Sequence, residues 1–455
     1  MSLLDQDDVF PWVEQTLGAG IVASVRQGGR ESGGRPGWFV QVESAGGPTR
    51  YYVRGSRGSD FGYARFYSLS REVRILELLR SEGIEVPRVV AASSDPEAAI
   101  LEHVEGENDF TRVQSAEERD ALARHFAEIM ARWHAIPARK FQEIGLRVPE
   151  TPLDYVVQDL EVWEAGHFPL LKRPIPLVSF VCGWLRRNPP RPPERPVLVQ
   201  GDTGPGQFIF ERGRVRAVID WELAILGDPM RDLAHIRTRD VWYPTGNLPR
   251  WFEYYSEFSG TPLDPRKIRH YSLIAMFTTA LALGPVVQHL EPRDDHAEWL
   301  AQDVWSKKAT LEALLELLGL EPEPLELPVA ERPEVSGLFD VLEENLRAEQ
   351  LPRIQESFLR HRMQVVLRLV ARLRNAAEIG SEIEALELDD MAGLLGSRPG
   401  SLGEGNRALE ALVRRSGAEL DERLARYFHR HALREEALMK GGLGRVERAR
   451  TSPID

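Results

Sequence analysis

Val197-Leu-Val-Gln-Gly-Asp202-Thr-Gly-Pro-Gly-Gln207, followed closely by Ala217-Val-Ile-Asp220-Trp-Glu222, is the stretch of the chain that decides its fold. In both segments an aspartate follows a short apolar run, so Asp202 and Asp220 are each predicted to lie at the end of a β-strand. Residues 208–210 and 215–219 have the pattern of a hairpin, with Gly213 in the turn. The sequence thus places two carboxylates, 18 positions apart, at the ends of predicted strands.

This layout of carboxylates suits phosphoryl transfer. In that chemistry one carboxylate orients the attacking hydroxyl and accepts its proton, while a second holds the magnesium ion that bridges the nucleotide phosphates. Aspartate is also common in ordinary turns after strands, so neither residue is informative alone. The two together, in their sequence context, predict a phosphotransferase site.

A longer motif continues beyond the second aspartate, as Ile219-Asp220-Trp-Glu222-Leu-Ala-Ile-Leu-Gly-Asp228-Pro-Met-Arg-Asp232-Leu-Ala. With the preceding segment and hairpin, it resembles the signature of the aminoglycoside phosphotransferase and choline kinase-like family, in particular the branch of kinase-like domains fused to acyl-CoA dehydrogenases. The resemblance implies an α+β, protein kinase-like fold of two lobes. The N-lobe would be small and mainly β, and the C-lobe larger and mainly helical.

The resemblance also implies cofactors and residue roles. ATP and Mg²⁺ would be bound, with Asp202 as the catalytic base and Asp220 as a metal ligand. Glu222 is a further candidate for metal or substrate contacts. Asp228 and Asp232 are expected to hold their loop and to cap the helix that follows.

Two positions depart from the family pattern. Gln200 stands where the family has a histidine, which is mainly a scaffold residue, so this loss is tolerable. Gln207 stands where the family has an asparagine that binds magnesium. Glutamine offers the same amide oxygen on a longer side chain, whereas Mg²⁺ demands near-octahedral geometry at about 2.0–2.1 Å. Either the site has adjusted, or catalysis is slow, or the fold only binds nucleotide.

The upstream part of the chain is predicted to supply the nucleotide cradle. Arg54 ends a predicted strand where kinases place their phosphate-binding lysine, and Glu72 on the next predicted helix is its expected ion-pair partner. Taken alone, they could be an exposed strand-end cation and a first-turn helix acid. Gly28 and Gly29 open a glycine-rich loop that could cover the phosphates or simply turn a hairpin.

A second upstream segment resembles the kinase hinge. The apolar run that starts at Ala99 ends in Glu102-His-Val104-Glu-Gly, and the backbone of Glu102 and Val104 is expected to meet adenine. This run and residues 87–90 complete an N-lobe of five predicted strands. The N-lobe is expected to span residues 1–108, and the C-lobe residues 109–325.

The rest of the chain is predicted to be an all-helical domain with a tail. Helices are expected at 334–374, 376–395 and 404–437, within an accessory domain at 326–440 that could dock a protein partner or form a homodimer. Residues 441–455 are expected to be a loose tail. Aromatic residues between 242 and 258 could line a substrate pocket or pack in the core.

Composition limits the classes of protein that the chain can be. With 57 basic and 70 acidic residues the net charge is −13, of which −7 falls in residues 291–330. There is no basic stripe for nucleic acid and no markedly acidic groove for an aminoglycoside. The single cysteine, Cys182, excludes an internal disulfide framework. The first residues do not resemble a signal peptide, and the apolar stretch 271–287 is expected to be a buried helix rather than a membrane span, so a cytoplasmic location is expected.

The sequence therefore predicts an ATP- and Mg²⁺-dependent phosphotransferase that acts on the hydroxyl of a small metabolite, with a hydroxyacyl-CoA as one candidate. The alternative is a nucleotide-binding pseudokinase that serves as a partner-binding scaffold. An aminoglycoside or amino-alcohol kinase remains a further alternative.

Overall fold

The structure is a computed structural model that describes residues 4–26, 35–44, 46–56, 67–289, 291, 295–329 and 333–454. The strands are β1 Ile21–Arg26, β2 Gly37–Ser44, β3 Gly47–Gly55, β4 Val89–Ser94, β5 Glu97–Glu102, β6 Val197–Val199, β7 Phe208–Glu211, β8 Arg214–Val218 and β9 Ile225–Gly227. The helices are α1 Gln6–Leu17, α2 Leu69–Ser81, α3 Ala116–Ala135, α4 Ala138–Glu143, α5 Asp154–His167, α6 Pro176–Arg187, α7 Met230–Asp240, α8 Leu248–Ser259, α9 Pro265–Gln288, α10 His296–Leu318, α11 Ser336–Glu344, α12 Ser357–Leu395, α13 Leu402–Arg415 and α14 Asp421–Leu438.

The predicted α+β, kinase-like fold class is confirmed. An antiparallel sheet forms in the N-terminal region, and most of the remaining described chain is helical. By its internal contacts the chain divides into two compact units. The first comprises residues 1–158, 190–271 and 451–455, and the second comprises residues 159–189 and 272–450.

The N-terminal sheet has five strands in the order β1-β2-β3-β5-β4, all antiparallel. Side chains alternate between its two faces, so neighbours along β3 point in opposite directions. Val53 packs in a core formed with β2, β5 and the apolar side of α1, which buries Val9 and Val13. Arg54, the next residue, therefore faces the opposite side of the sheet.

Helix α2 lies on that opposite side and carries the predicted partner of Arg54. Ser68 caps the helix by accepting a hydrogen bond from the Arg71 N–H at 3.3 Å. Buried side chains on one face of the helix include Ile75, Leu76 and Leu79. Glu72 shares this buried face in the first turn, which is unusual for an acid unless it is paired.

The motif segment folds as its sequence predicts. β6 pairs antiparallel with β9, and β7 pairs with β8 as a hairpin. Arg212 and Gly213 both have positive φ (50° and 72°), as a two-residue hairpin turn of the primed type requires. Helix α7 then begins at Met230, whose N–H donates to Asp228 Oδ1 at 2.9 Å. The N-cap residue itself is Pro229, which offers no side-chain cap, so Asp228 holds the turn before the helix without occupying the predicted cap position.

In the part of the second unit that the structure describes, all regular elements are helices. Within it, α10 packs against α12 and α14, and α6 packs against α13. The second unit therefore contains residues from both sides of the predicted domain limit at 325. The reason is that α10, which precedes this limit, packs against helices of the predicted accessory domain. The limits predicted at 108, 325 and 440 stay a prediction.

Two predicted helix limits in this unit are wrong. The break expected near 375 is absent, since α12 runs without interruption from 357 to 395. The chain breaks earlier instead, at residues 354–356, directly after a 3₁₀ turn at Leu351–Arg353 in which Pro352 removes a backbone donor. The helix expected at 404–437 is also interrupted, near Ser416 and Gly417.

The structure also bears on the predictions for the aromatic residues at 242–258, the C-terminal tail and the apolar stretch at 271–287. Trp251, Phe252, Tyr254 and Tyr255 are buried on α8, which packs against α3, so these aromatic residues belong to the core. Within the predicted tail at 441–455, Ser452 contacts α7, because its carbonyl accepts a hydrogen bond from Arg237 Nε at 2.8 Å. Helix α9 is long and apolar enough to cross a membrane, but 72% of its apolar window is buried inside the protein, as in a soluble core helix.

Candidate active site

Arg54 is the centre of a buried ion-pair cluster in the first unit. Its Nε lies 3.2 Å from Glu72 Oε2, and its Nη2 lies 2.9 Å from Asp220 Oδ1 and 3.1 Å from Glu222 Oε2. Burial lowers the pKa of an arginine, but Glu72, Asp220 and Glu222 together hold the pKa of Arg54 well above its usual value. The structure thus brings together four of the predicted site residues.

A second arginine completes the cluster. Arg35 Nε donates to Glu222 Oε2 at 2.7 Å and lies 3.7 Å from Glu72 Oε2, and its Nη2 donates to the Tyr67 carbonyl. Its side chain is only 2% exposed, so the charge is held inside the protein by these acids. Glu222, predicted as a metal or substrate contact, has its Oε2 bound by two guanidinium groups.

Asp220 occupies a strained backbone position between β8 and β9. Its φ is 62°, a left-handed conformation that is uncommon for residues other than glycine and often marks functional sites. Desolvation raises the pKa of Asp220, the charge of Arg54 lowers it, and the carboxylates of Glu222 and Asp202 raise it further. The net shift is upward, and burial likewise raises the pKa of Glu72 despite its arginine neighbours.

Gln207 bridges the two aspartates of the motif. Its Nε2 donates to Asp202 Oδ2 and lies 3.4 Å from Asp220 Oδ2. Asp202 Oδ2 also accepts a hydrogen bond of 2.7 Å from Arg239 Nη1. The predicted base and the predicted metal ligand therefore share one amide between them.

Gln200 forms hydrogen bonds with both motif loops, the one that carries Asp202 and the one that carries Asp220. Its Nε2 donates to the carbonyls of Ile219 at 3.0 Å and Asp220 at 2.7 Å, while its Oε1 accepts from the Asp202 N–H at 2.9 Å. The Thr203 hydroxyl oxygen lies 3.0 Å from the same oxygen, while its proton is donated to Asp232. The side chain is completely buried, so this glutamine performs the scaffold task expected of the family histidine.

Asp232 supports the loop of Asp202 and does not cap its own helix, which has no side-chain cap. Its Oδ1 accepts from the Gln200 N–H at 3.1 Å and from the Thr203 hydroxyl, and its Oδ2 lies 2.9 Å from His134 Nε2. Burial would raise the pKa of Asp232, but the bonds from His134 and Thr203 hold it below its usual value. An ionised Asp232 thus anchors the loop from α7.

A cleft of about 290 Å³ opens beside this cluster. Its polar end is formed by Arg54, Glu72, Gln207 and Asp220. Its other walls include the predicted hinge residues Glu102 and Val104 and the apolar side chains of Phe39, Leu76, Leu101, Ile209 and Ile219. A mainly apolar cleft with charged groups at one end is typical of small-molecule sites.

The hinge is fixed to the hairpin that precedes Asp220. Gly106 has a φ of 145°, and a Cβ added there would lie 2.7 Å from the Phe210 carbonyl oxygen. The backbone of Glu107 pairs with Phe210 through two hydrogen bonds of 2.9 and 2.8 Å. Gly28 and Gly29, the predicted phosphate-loop residues, lie outside the described residues.

Sequence reasoning missed the contacts of two arginines. Arg35 follows the glycine-rich segment in the sequence, and nothing there indicates that its guanidinium is buried against Glu222. Arg239 carries no signal in the sequence, since an arginine in the last turn of a helix is ordinary. Only the fold shows that it reaches Asp202.

The oxygen donors at this site fit a magnesium ion. Mg²⁺ is usually held by one or two carboxylates, together with substrate phosphates and water, and Asp220 and the Gln207 amide oxygen match that donor type. The cluster of Arg35, Arg54, Glu72, Glu222 and Asp220 also carries one excess negative charge when all five are ionised. Among the residues that the structure describes, no group of three or more His, Cys, Asp or Glu side chains is placed to hold a metal ion.

Parts of known proteins are similar in sequence to this chain. Acyl-CoA dehydrogenase family member 11 of Pongo abelii is 30% identical over 206 residues, which are 43% of this chain and 26% of that protein. The Rattus norvegicus protein of the same name is 27% identical over 252 residues, 53% of this chain and 31% of its own length. The matched segments therefore span less than a third of the length of these two relatives.

A solved aminoglycoside phosphotransferase is also similar. It is a thermostable mutant in ternary complex with ADP and hygromycin B, with a TM-score of 0.48 and 16% identity over 67% of this chain and 97% of that one. The model of the phosphotransferase enzyme family matches residues 33–271, just over half of the 455 residues. This match confirms the resemblance predicted from the motif around Asp220. The chain belongs to the phosphotransferase enzyme family.

Proposed function

We propose that the chain transfers the γ-phosphoryl group of ATP to the hydroxyl of a small metabolite, with Mg²⁺ as cofactor. The observation that carries this proposal is the pair of strand-end aspartates, Asp202 and Asp220, bridged by the Gln207 amide at the charged end of a cleft. Family membership supports the reaction class. The nucleotide, the metal and the acceptor are our inferences.

ATP would lie in the cleft with its adenine against the hinge. The Glu102 N–H already donates to the Arg88 carbonyl at 2.9 Å, so we expect the Glu102 carbonyl and the Val104 backbone to bind the base. Arg54 would bind the phosphates, because a guanidinium offers a fork of donors that matches phosphate oxygens. Glu72 would hold Arg54 in place from the opposite side.

Asp220 and Gln207 would hold the metal. Mg²⁺ held there would supply positive charge that neutralises the charge developing on the phosphates. Gln207 would have to present its Oε1 rather than its Nε2 toward Asp220. We assign no metal contact to Glu222, because its Oε2 is bound by Arg35 and Arg54.

Asp202 would orient the acceptor. The acceptor hydroxyl would donate to its carboxylate, and the hydroxyl oxygen would attack the γ-phosphorus in line with the leaving ADP oxygen. A bond forms between the acceptor oxygen and phosphorus, the bond to the bridging oxygen of ADP breaks, and the hydroxyl proton passes to Asp202.

The acceptor we favour is a hydroxyacyl-CoA. The support is the similarity of the chain to parts of proteins named as acyl-CoA dehydrogenase family members. Aminoglycosides are polycations that would need uncompensated acids at the site, whereas Asp202 and Glu222 each bind an arginine. Amino alcohols remain further candidates.

A nucleotide-binding pseudokinase is the second candidate. It is favoured by the Gln207 amide nitrogen, which donates to a carboxylate where a metal ligand must present oxygen. Such a protein would bind ATP without turnover and act as a scaffold for a protein partner or a second copy.

The deciding experiment is product analysis by mass spectrometry. The protein is incubated with ATP, Mg²⁺ and separate panels of hydroxyacyl-CoAs, amino alcohols and aminoglycosides. We expect a phosphorylated hydroxyacyl-CoA with the wild type and with Asp7→Asn, an exposed control, but not with Asp202→Asn. ATP binding without any phosphorylated product in all panels would favour the pseudokinase.

A further inference from the structure

Arg239 lies beside the proposed catalytic base, although it belongs to another element. It sits in the last turn of α7. Its Nη1 donates to Asp202 Oδ2 at 2.7 Å, and its Nε donates to the Pro205 carbonyl at 2.6 Å. Its guanidinium also stacks over the ring of Tyr243, with 5.5 Å from Cζ to the ring centroid. Three contacts therefore fix the orientation of the group.

The loop after Asp202 is shaped to admit this guanidinium. Gly206 has a φ of 89°, and a Cβ added there would lie 2.6 Å from Arg239 Nη2 and 2.9 Å from the Tyr243 ring. Gly204 has a φ of 130°, and its Cβ would lie 3.2 Å from the Ile236 Cα. Side chains at these two positions would thus displace α7 or Arg239.

One nitrogen of Arg239 keeps its hydrogen-bonding capacity. Nε and Nη1 are used on Pro205 and Asp202, whereas Nη2 has no acceptor among the residues that the structure describes. Nη2 adjoins Gly206, which lines the cleft together with Gln207 and Asp220. The side chain is 15% exposed, so this nitrogen can reach a ligand while most of the group stays buried.

The two carboxylate oxygens of Asp202 differ in their hydrogen-bond partners. Oδ2 accepts from both Gln207 and Arg239, which leaves Oδ1 for the acceptor hydroxyl. A hydroxyl bound at Oδ1 would lie close to the guanidinium that holds Oδ2. The phosphoryl group that this hydroxyl attacks must then pass near Nη2.

We propose that Arg239 is a phosphoryl-contacting catalytic residue, whose guanidinium bridges Asp202 and the phosphoryl group in transfer. The proposal rests on the proposed function. Arg239 keeps its proton throughout: the acceptor oxygen bonds to phosphorus, the bond to ADP breaks, and Asp202 takes the hydroxyl proton. Nη2 donates a hydrogen bond to an equatorial phosphoryl oxygen, where charge accumulates in the transition state.

The test uses Arg239→Met, with Arg250→Met as the matched control. Arg250 also stacks over a tyrosine, Tyr254, but it lies on α8 away from the cleft. Calorimetry compares ADP with Mg²⁺ alone against ADP with Mg²⁺ and aluminium fluoride, a mimic of the transferring phosphoryl group. For Arg239→Met we expect ADP affinity within about threefold of wild type and a loss of about 10²-fold in the tightening caused by aluminium fluoride.

Turnover gives a second measure. For Arg239→Met, kcat should fall about 10²-fold or more with little change in KM for ATP, and added guanidinium ion should restore part of it. Arg239→Lys should lose most of the tightening too, since one ammonium cannot replace the fork. If Arg239→Met does not fold, Arg239→Lys replaces it in the comparison with Arg250→Met.

Each outcome bears on the proposal. If aluminium fluoride increases the ADP affinity of Arg239→Met as much as that of wild type, the proposed role of Arg239 is wrong. An equal loss of ADP binding with a lower melting temperature also overturns it, because that result indicates a structural residue. A wild type that binds ADP but gains nothing from aluminium fluoride refutes the proposed function itself, and the role of Arg239 with it.

Discussion

Arg54 Nη2 lies 2.9 Å from Asp220 Oδ1, and this single contact joins β3 to a residue 166 positions later in the chain. The same nitrogen is shared with Glu222, and the other side of the guanidinium faces Glu72. One cation thus sets the distance between the proposed phosphate-binding strand and the proposed metal ligand. The strained backbone of Asp220 is stabilised by this contact and by the Gln200 amide.

Glu222→Gln tests whether Glu222 serves the arginines or a metal. Arg35 would lose its nearest counter-charge while buried, so we expect the free energy of unfolding to fall by about 1–3 kcal/mol in urea. Magnesium-dependent ATP binding should persist, because we assign the metal to Asp220 and Gln207. Glu211→Gln, at an exposed position, is the control. Unchanged stability with lost magnesium dependence would instead identify Glu222 as a ligand.

Gln200→Ala should damage the scaffold of both motif loops. Three hydrogen bonds of a fully buried side chain are lost, and we expect a cost of about 2–4 kcal/mol in the free energy of unfolding. Gln200→His, which restores the family residue, should cost less and retain nucleotide binding. Thermal and urea unfolding measure both variants against the exposed control Gln114→Ala. Equal stability of Gln200→Ala and wild type would refute the scaffold role.

Gln207→Asn should raise kcat if side-chain length is the only defect of the metal position. The shorter amide restores the family residue, and we expect tighter magnesium binding, since this ion tolerates little distortion. Steady-state turnover at varied Mg²⁺ concentration measures the effect, with Gln114→Asn as the control. No gain in either quantity would favour a site that binds nucleotide without catalysis.

Most of the first unit was predictable because its signals are local. Apolar runs that end at Asp202 and Asp220, and a glycine where the hairpin turns, fix strands and turn without tertiary information. The pairing of Arg54 with Glu72 followed from the family resemblance. In the second unit, the predicted helix 334–374 is interrupted because it contains Pro352, whose missing N–H ends the preceding helical segment.

The rest of the site depends on contacts that sequence spacing does not encode. Arg35 and Glu222 are 187 positions apart, and nothing in either neighbourhood indicates the other. Arg239 reaches Asp202 only because Gly204 and Gly206 leave space beside α7. Long-range ion pairs of this kind are set by how whole elements pack.

Acid should destabilise the second unit through Glu387. Burial would raise its pKa, but His431 and Arg434 lower the pKa to about 2. Because the unfolded pKa is about 4.3, the stabilisation is present above that pH and is lost as the pH falls toward 2, by about 3 kcal/mol. Urea unfolding between pH 2 and 7 should show this loss in wild type and in exposed Glu384→Gln, but less in Glu387→Gln. An identical pH dependence in all three would contradict it.

Calorimetric titration of ATP, with and without Mg²⁺, on wild type and on Asp220→Ala tests the central claim most directly. We expect wild type to bind ATP with an affinity that magnesium increases, and Asp220→Ala to lose that increase while it keeps its fold. ATP binding that ignores both magnesium and Asp220 would contradict the metal-dependent mechanism. Failure of the folded wild type to bind ATP at all would contradict the nucleotide site itself.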